Sequence, residues 1–160
     1  MRRIGIAVIV VLMIGVAGAF AAPKTDGLAI GGQGSLYFVG SEGLLVSAHI
    51  EIELPSIPVM FGIGVSTRPA IGLTADYWAW RGYMAGMYGW YVGFGGYVTL
   101  ALAPTTDIRM GVRLPIGLQA WLLNDTLEIY VETAPAVGMS ILPIGFDWKV
   151  QAALGFRMWL

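Results

Sequence analysis

The residues with the richest chemistry are His49, Glu51 and Glu53, which recur at every second position. In an extended strand that spacing puts an imidazole and two carboxylates on one face, where they could ligate a divalent metal or exchange protons. Ser47 extends the row, and a serine beside a histidine is the starting point of acyl-transfer machinery. The row stands alone, however. His49 is the single histidine of the chain, there is no cysteine, and no second group of ligands accompanies it. Phosphate-loop, dinucleotide and metal-finger spacings are absent as well. The expectation is a non-enzyme with no cofactor and no metal, whose His49, Glu51 and Glu53 are hydrogen-bonded packing inside a fold.

The remaining ionisable residues indicate which fold. Asp147, Lys149, Gln151, Ala153, Gly155, Arg157 and Trp159 alternate with Trp148, Val150, Ala152, Leu154, Phe156, Met158 and Leu160. That is a strand with one polar and one unbroken apolar face. Glu128, Tyr130 and Glu132 oppose Ile129 and Val131 in the same way, and Arg109 and Arg113 oppose Met110 and Val112. Eight such strands are predicted, over residues 28–39, 46–54, 58–67, 71–80, 90–103, 108–122, 127–141 and 147–160. Ten charged residues fall inside them, and all ten lie on the polar faces. A Lys or Arg facing hydrocarbon at mid-bilayer would cost ~2–4 kcal/mol, which is reason enough for that segregation.

Composition agrees. The 160 residues are 57% hydrophobic and 12% charged, with 23 glycines and a formal charge of -1. Disorder and coiled coils need far more charge, and nucleic-acid binders need a basic stripe. Residues 1–21 read as a secretory leader. Arg2 and Arg3 precede an apolar run, and Ala19-Phe20-Ala21 forms the small-x-small cleavage site. An uncleaved anchor is the alternative reading of that run.

Cleavage near Ala21 leaves residues 22–160 as the barrel domain, and with no cysteine it carries neither a disulfide nor a lipid anchor. Ten membrane strands would need ~100–110 residues before any turns, so eight fit better. The expected fold is all-β, a closed eight-stranded antiparallel transmembrane β-barrel in the cell outer membrane. A rival reading makes residues 82–106 a spanning helix, since they hold no charge. Six glycines and an alternating pattern oppose it.

A soluble lipocalin-like barrel would place charges on its wide outer surface, whereas here the polar face is rich in small residues, as a narrow lumen requires. That lumen would carry a network of Glu51, Asp76, Arg109, Arg113, Glu128, Glu132, Lys149 and Arg157, because buried charges must be paired. Trp78, Tyr91, Trp121 and Trp159 would form an aromatic plug near the periplasmic mouth. Tyr77, Phe94 and Trp148 face the other way, as interface anchors and lipid-facing bulk.

Turn chemistry predicts reversals at residues 40–43, 55–57, 68–69, 81–89, 104–107, 124–125 and 143–145. Both termini would be periplasmic, which puts the longest connection, 81–89, on that side too. Folding about Asn124-Asp125 sets Pro115 opposite Ala134 and beside Pro135, which predicts a bulge or kink. Folding about Ile144-Gly145 sets Glu132 opposite Arg157 as the leading ion pair.

Several segments carry a resemblance. Arg113-Leu-Pro-Ile-Gly-Leu118, Leu127-Glu-Ile-Tyr-Val-Glu-Thr-Ala-Pro135, Phe146-Asp147-Trp148 and the terminal Gly155-Phe-Arg-Met-Trp-Leu160 resemble the spirochaete outer-membrane β-barrel family with an OmpA-like transmembrane domain. The likeness covers about the last third of the chain, and its motifs are not catalytic. It implies an eight-stranded outer-membrane barrel for which binding of a host ligand has been suggested.

The ending also resembles a barrel assembly signal through Gly155, Met158 and Leu160, departing from it by closing on Leu160 with Trp159 turned to the lumen. The partners implied are outer-membrane lipid, the barrel assembly machinery and a host or envelope ligand, with no nucleic acid. The expected function is structural or surface ligand binding. A narrow pore or solute channel and, behind it, a lipid-modifying enzyme are the alternatives.

Overall fold

A computed structural model of the chain describes residues 27–39, 43–55, 57–103, 106–141 and 144–160. The leader and its cleavage site lie outside these residues. Among the described residues nine strand segments are present: β1 (Ala29–Val39), β2 (Gly43–Glu53), β3 (Val59–Ser66), β4 (Ala70–Ala85), β5 (Tyr88–Ala101), β6 (Asp107–Arg113), β7 (Ile116–Leu122), β8 (Leu127–Ile141) and β9 (Ile144–Trp159). Both β6 and β7 pair with β5 on one side and β8 on the other, so they are two halves of one ribbon. β1 pairs with β9 from Ala29↔Trp159 to Val39↔Lys149, which closes the sheet. The result is an eight-ribbon antiparallel barrel with no free edge, the arrangement that satisfies every ladder without an exposed strand. The rim at which β1 begins and β9 ends is called lower here, and the opposite rim upper.

Alternation explains the faces. In β9, Gln151, Ala153, Gly155, Arg157 and Trp159 are buried in the lumen while Ala152, Leu154, Phe156 and Met158 are exposed. Residues 82–106 run through the end of β4 and all of β5 rather than forming a helix. The β7–β8 reversal uses Leu123, Asn124 and Asp125, all with positive φ, the region where Asn and Asp are best tolerated.

Three expectations are corrected. Residues 81–89 are not a long connection. β4 and β5 continue toward each other until only Gly86 and Met87 remain, with Gly86 at φ +55°. The strands carry on because their lower ends still have ladder partners, Arg81↔Tyr91 to Ala85↔Tyr88. At the prolines no residue is inserted, because Arg113↔Ala136 and Ile116↔Thr133 belong to one unbroken register. Each proline instead removes one ladder bond. Leu114 N donates to the Pro135 carbonyl at 3.0 Å and Gly93 N to the Pro115 carbonyl at 2.8 Å, but neither proline has an N–H to return.

The third correction concerns β8 and β9. Ile144 and Gly145 lie inside the ladder, opposite Ile141 and Ser140, so Arg157 meets Glu128 and Glu132 meets Ala153. The displacement is an even number of residues, so every side chain keeps its face while its partner changes.

Candidate functional site

Along the barrel axis the lumen divides into a sealed lower half and an open upper one. The lower half is organised by Arg157, which is 2% exposed. Its Nε lies 3.0 Å from Glu51 Oε2 and its Nη1 2.7 Å from Glu128 Oε1. Tyr130 OH donates to Glu51 at 2.7 Å and Trp159 Nε1 to Glu128 at 3.0 Å. The guanidinium also stacks 3.8 Å from the Tyr130 ring centre, with Trp78 and Tyr91 at 5.2 and 5.5 Å. Charge pairing, hydrogen bonding and ring contact thus act on one buried cation, the condition under which an ion pair survives desolvation.

Beside it, Arg113 Nη2 contacts Glu132 Oε1 at 2.6 Å and its Nε approaches Asp76 at 3.4 Å, while Tyr91 OH donates to Glu132 at 2.8 Å. Trp78, Tyr91, Trp121 and Trp159 are all buried in one cluster with Ala29, Met60 and Tyr130. Trp78 and Tyr91 meet edge-on at 4.5 Å, and Trp121 and Trp159 pack at 5.7 Å.

Arg81, placed in a turn by its sequence, belongs to this cluster. Register shifts between Trp78 and Trp80 and between Tyr83 and Ala85 mark bulges in β4. The first reverses the alternation, turning Trp80 outward at 63% exposure and Arg81 inward to Glu53 at 2.9 Å. Glu53 also accepts from Trp78 Nε1 at 3.0 Å. Nothing in the local pattern signals this bulge.

The upper half is different. A cavity of about 500 Å³ opens there, lined by Tyr37, Ser47, His49, Thr99, Lys149 and their neighbours toward the rim. Lys149 Nζ lies 3.4 Å from the Tyr97 ring centre and 5.4 Å from that of Tyr37. Tyr37 OH and His49 Nε2 are 3.3 Å apart, and Tyr97 OH donates to Asp147 at 3.2 Å. At the rim, Asp107 takes Arg109 Nε and Ser140 Oγ, both at 2.8 Å. Asp107, expected in a turn, begins β6.

The eight charged residues singled out in the sequence therefore form no single network. Glu51, Glu128 and Arg157 make one group, Asp76, Arg113 and Glu132 a second, and Arg109 and Lys149 stand apart near the upper rim. Nor do His49, Glu51 and Glu53 converge. They turn respectively to Tyr37, to Arg157 with Tyr130, and to Arg81 with Trp78. Among the described residues no cluster of three metal-binding side chains is found. His49 faces the lumen beside Ser47, away from the apolar outer surface.

Fold and lumen define a small closed antiparallel β-barrel, apolar outside and polar within. No protein-family model matches the chain, and no curated protein matches it. Among solved structures, the barrel is similar to that of Neisserial surface protein A, with a TM-score of 0.62 over 83% of this chain and 97% of that one. Identity is 12%, so the likeness is one of fold. The resemblance to the spirochaete family rests on its residues alone.

Proposed function

We propose that this chain is an integral outer-membrane β-barrel protein with a structural or surface ligand-binding role rather than a catalytic one. One observation carries the reading. The outward side chains form a near-continuous apolar belt, with Ile50, Val65, Val112 and Leu154 each more than 60% exposed, while every strand charge turns inward. In water such a surface would far exceed the apolar patch a soluble monomer carries; in a bilayer it is the solvated face. Tyr77, Phe94 and Trp148, each more than 40% exposed, supply aromatic anchors and lipid-facing bulk on that belt.

The leader delivers the chain to the envelope, and the ending at Gly155, Met158 and Leu160 addresses it to the barrel assembly machinery. Outer-membrane lipid is the constant partner, and a host or envelope ligand, in line with the spirochaete resemblance, meets the upper rim. Trp78, Tyr91, Trp121 and Trp159 act as a plug that closes the lower mouth, which argues against the pore.

The test is heat-modifiable gel migration after refolding in detergent, joined to recovery from membranes of cells expressing the full chain. Heat-dependent migration in the membrane fraction is expected; a protein that stays in solution without detergent would overturn the reading. Planar-bilayer recordings separately test the plug, and steady conductance well above leak would establish the pore in its place.

A further inference from the structure

The other lumen cations in the strands each hold a carboxylate. Arg81, Arg109, Arg113 and Arg157 have one at 2.9, 2.8, 2.6 and 2.7 Å. Lys149 has none among the described residues; its ammonium rests on the faces of Tyr97 and Tyr37 and borders the upper cavity. Asp147, two residues away on the same strand, acts on this cation from a distance and takes the Tyr97 hydroxyl, so the ammonium lacks the direct carboxylate contact that each of these arginines has.

A second observation points into the same space. Ser47 is 6% exposed and lines the cavity, yet its Oγ has no hydrogen-bond partner, and neither has His49 Nδ1 beside it. Buried polar atoms of this kind are normally satisfied, so an unsatisfied pair at the wall of a cavity marks where a ligand atom belongs.

The cavity has the size and make-up of a ligand site. Its volume of about 500 Å³ lies within the ~300–1,000 Å³ typical of small-molecule pockets. Val39, Leu45, Ala70 and Ala101 give it apolar walls toward the rim. Its room is kept by glycine. A Cβ on Gly64 would run into the His49 ring, whereas one on Gly72 would stand free, 3.9 Å from Thr99 Oγ1. Arg68, Arg109 and Lys149 face Asp107 and Asp147 around the wall, a balance of one positive charge, which a single negative charge matches and a second would exceed.

We propose that the upper cavity binds a small organic monocarboxylate, its carboxylate docked on Lys149 and Ser47 and its short apolar body against Val39, Leu45 and Ala101. This deepens the surface ligand-binding reading by naming the ligand class, and it rests on that reading for the barrel being closed and its upper mouth accessible.

The experiment is isothermal titration of sodium hexanoate into the refolded barrel in maltoside micelles, with the heat of empty micelles subtracted. Hexanol, which has the same apolar body without the charge, and sodium phosphate are titrated in parallel. Saturable hexanoate binding at least tenfold tighter than hexanol or phosphate is expected. Lys149→Met, which keeps the stem on the tyrosine rings, and Gly72→Leu, which fills the space, should each weaken it at least tenfold. Ile63→Val on the outer face should leave it unchanged.

Equal binding by wild type and Lys149→Met, or hexanol or phosphate matching hexanoate, would overturn the proposal. Heat-modifiable migration, run on every sample, separates the two levels of inference. A barrel that migrates correctly and does not bind hexanoate overturns the carboxylate site alone, and one without heat-dependent migration overturns the membrane reading.

Discussion

The two halves of the lumen hold similar residue types in opposite states. Around Arg157 two carboxylates hold Nε and Nη1 at 3.0 and 2.7 Å, and aromatic rings pack against the guanidinium, Nη2 alone being left without a hydrogen bond. Around Lys149 the same ingredients, a cation, tyrosines and a carboxylate on the same strand, surround a cavity. The difference lies in the size of the neighbours. Trp78, Tyr91, Trp121 and Trp159 occupy the inward positions below, whereas Gly64, Gly72, Ala70 and Ala101 occupy them above. A narrow barrel is therefore closed or open at a given level according to a few inward side chains, with no change in strand number.

The comparison can be broken most forcefully at Arg157. Arg157→Met strands Glu51 and Glu128 as buried carboxylates, and the loss in unfolding free energy is expected at roughly 3–5 kcal/mol. Urea titration of the barrel in lipid vesicles measures it, and a loss under about 1 kcal/mol would mean that the lower half is not held by this cation.

Next in size is Gly117→Val, whose added atoms would enter the space of the Tyr91 ring. Overpacking there is expected to cost about 1–3 kcal/mol in the same titration. Gly72→Val at the upper level, where the Cβ meets open space, should cost far less, and equal losses would erase the distinction between the halves.

Arg109→Gln removes a pair whose arginine is 23% exposed, so the expected loss is ~0–1 kcal/mol. It should shrink further at about 1 M salt, while the Arg157 effect persists, since screening reaches exposed pairs and spares buried ones. Smallest is Lys149→Met, expected within about 0.5 kcal/mol of wild type because no ion pair is broken. A large destabilisation there would assign Lys149 to the structural framework instead of the cavity.

How far the chain could be read ahead of its structure depends on the range of each signal. The inward placement of Glu51, Asp76, Arg113, Glu128, Glu132 and Arg157 follows from parity along single strands, and the Asn124-Asp125 turn sets the β7–β8 register, Trp121↔Glu128, through its own chemistry. The sequence pairs Arg157 with Glu132 instead of Glu128 because Ile144 and Gly145 belong to the β8–β9 ladder and not to its turn, and alternation is blind to an even displacement. Arg81 escaped notice because a bulge is a pairing event between two strands; from β4 alone it reads as the start of a turn. The cavity was invisible for a similar reason, being a volume between residues of several ribbons.

What the sequence by itself determined is which side of each ribbon turns its apolar side chains outward and which meets the lumen. That choice is made residue by residue, by the cost of exposing a charge to lipid and the two-residue period of a strand. Which carboxylate meets which arginine, where the strands bulge, and that one half of the lumen is filled while the other stays open were decided only when the ribbons paired and closed. Those outcomes depend on register and on side-chain volume summed across the ring, and a single strand contains neither.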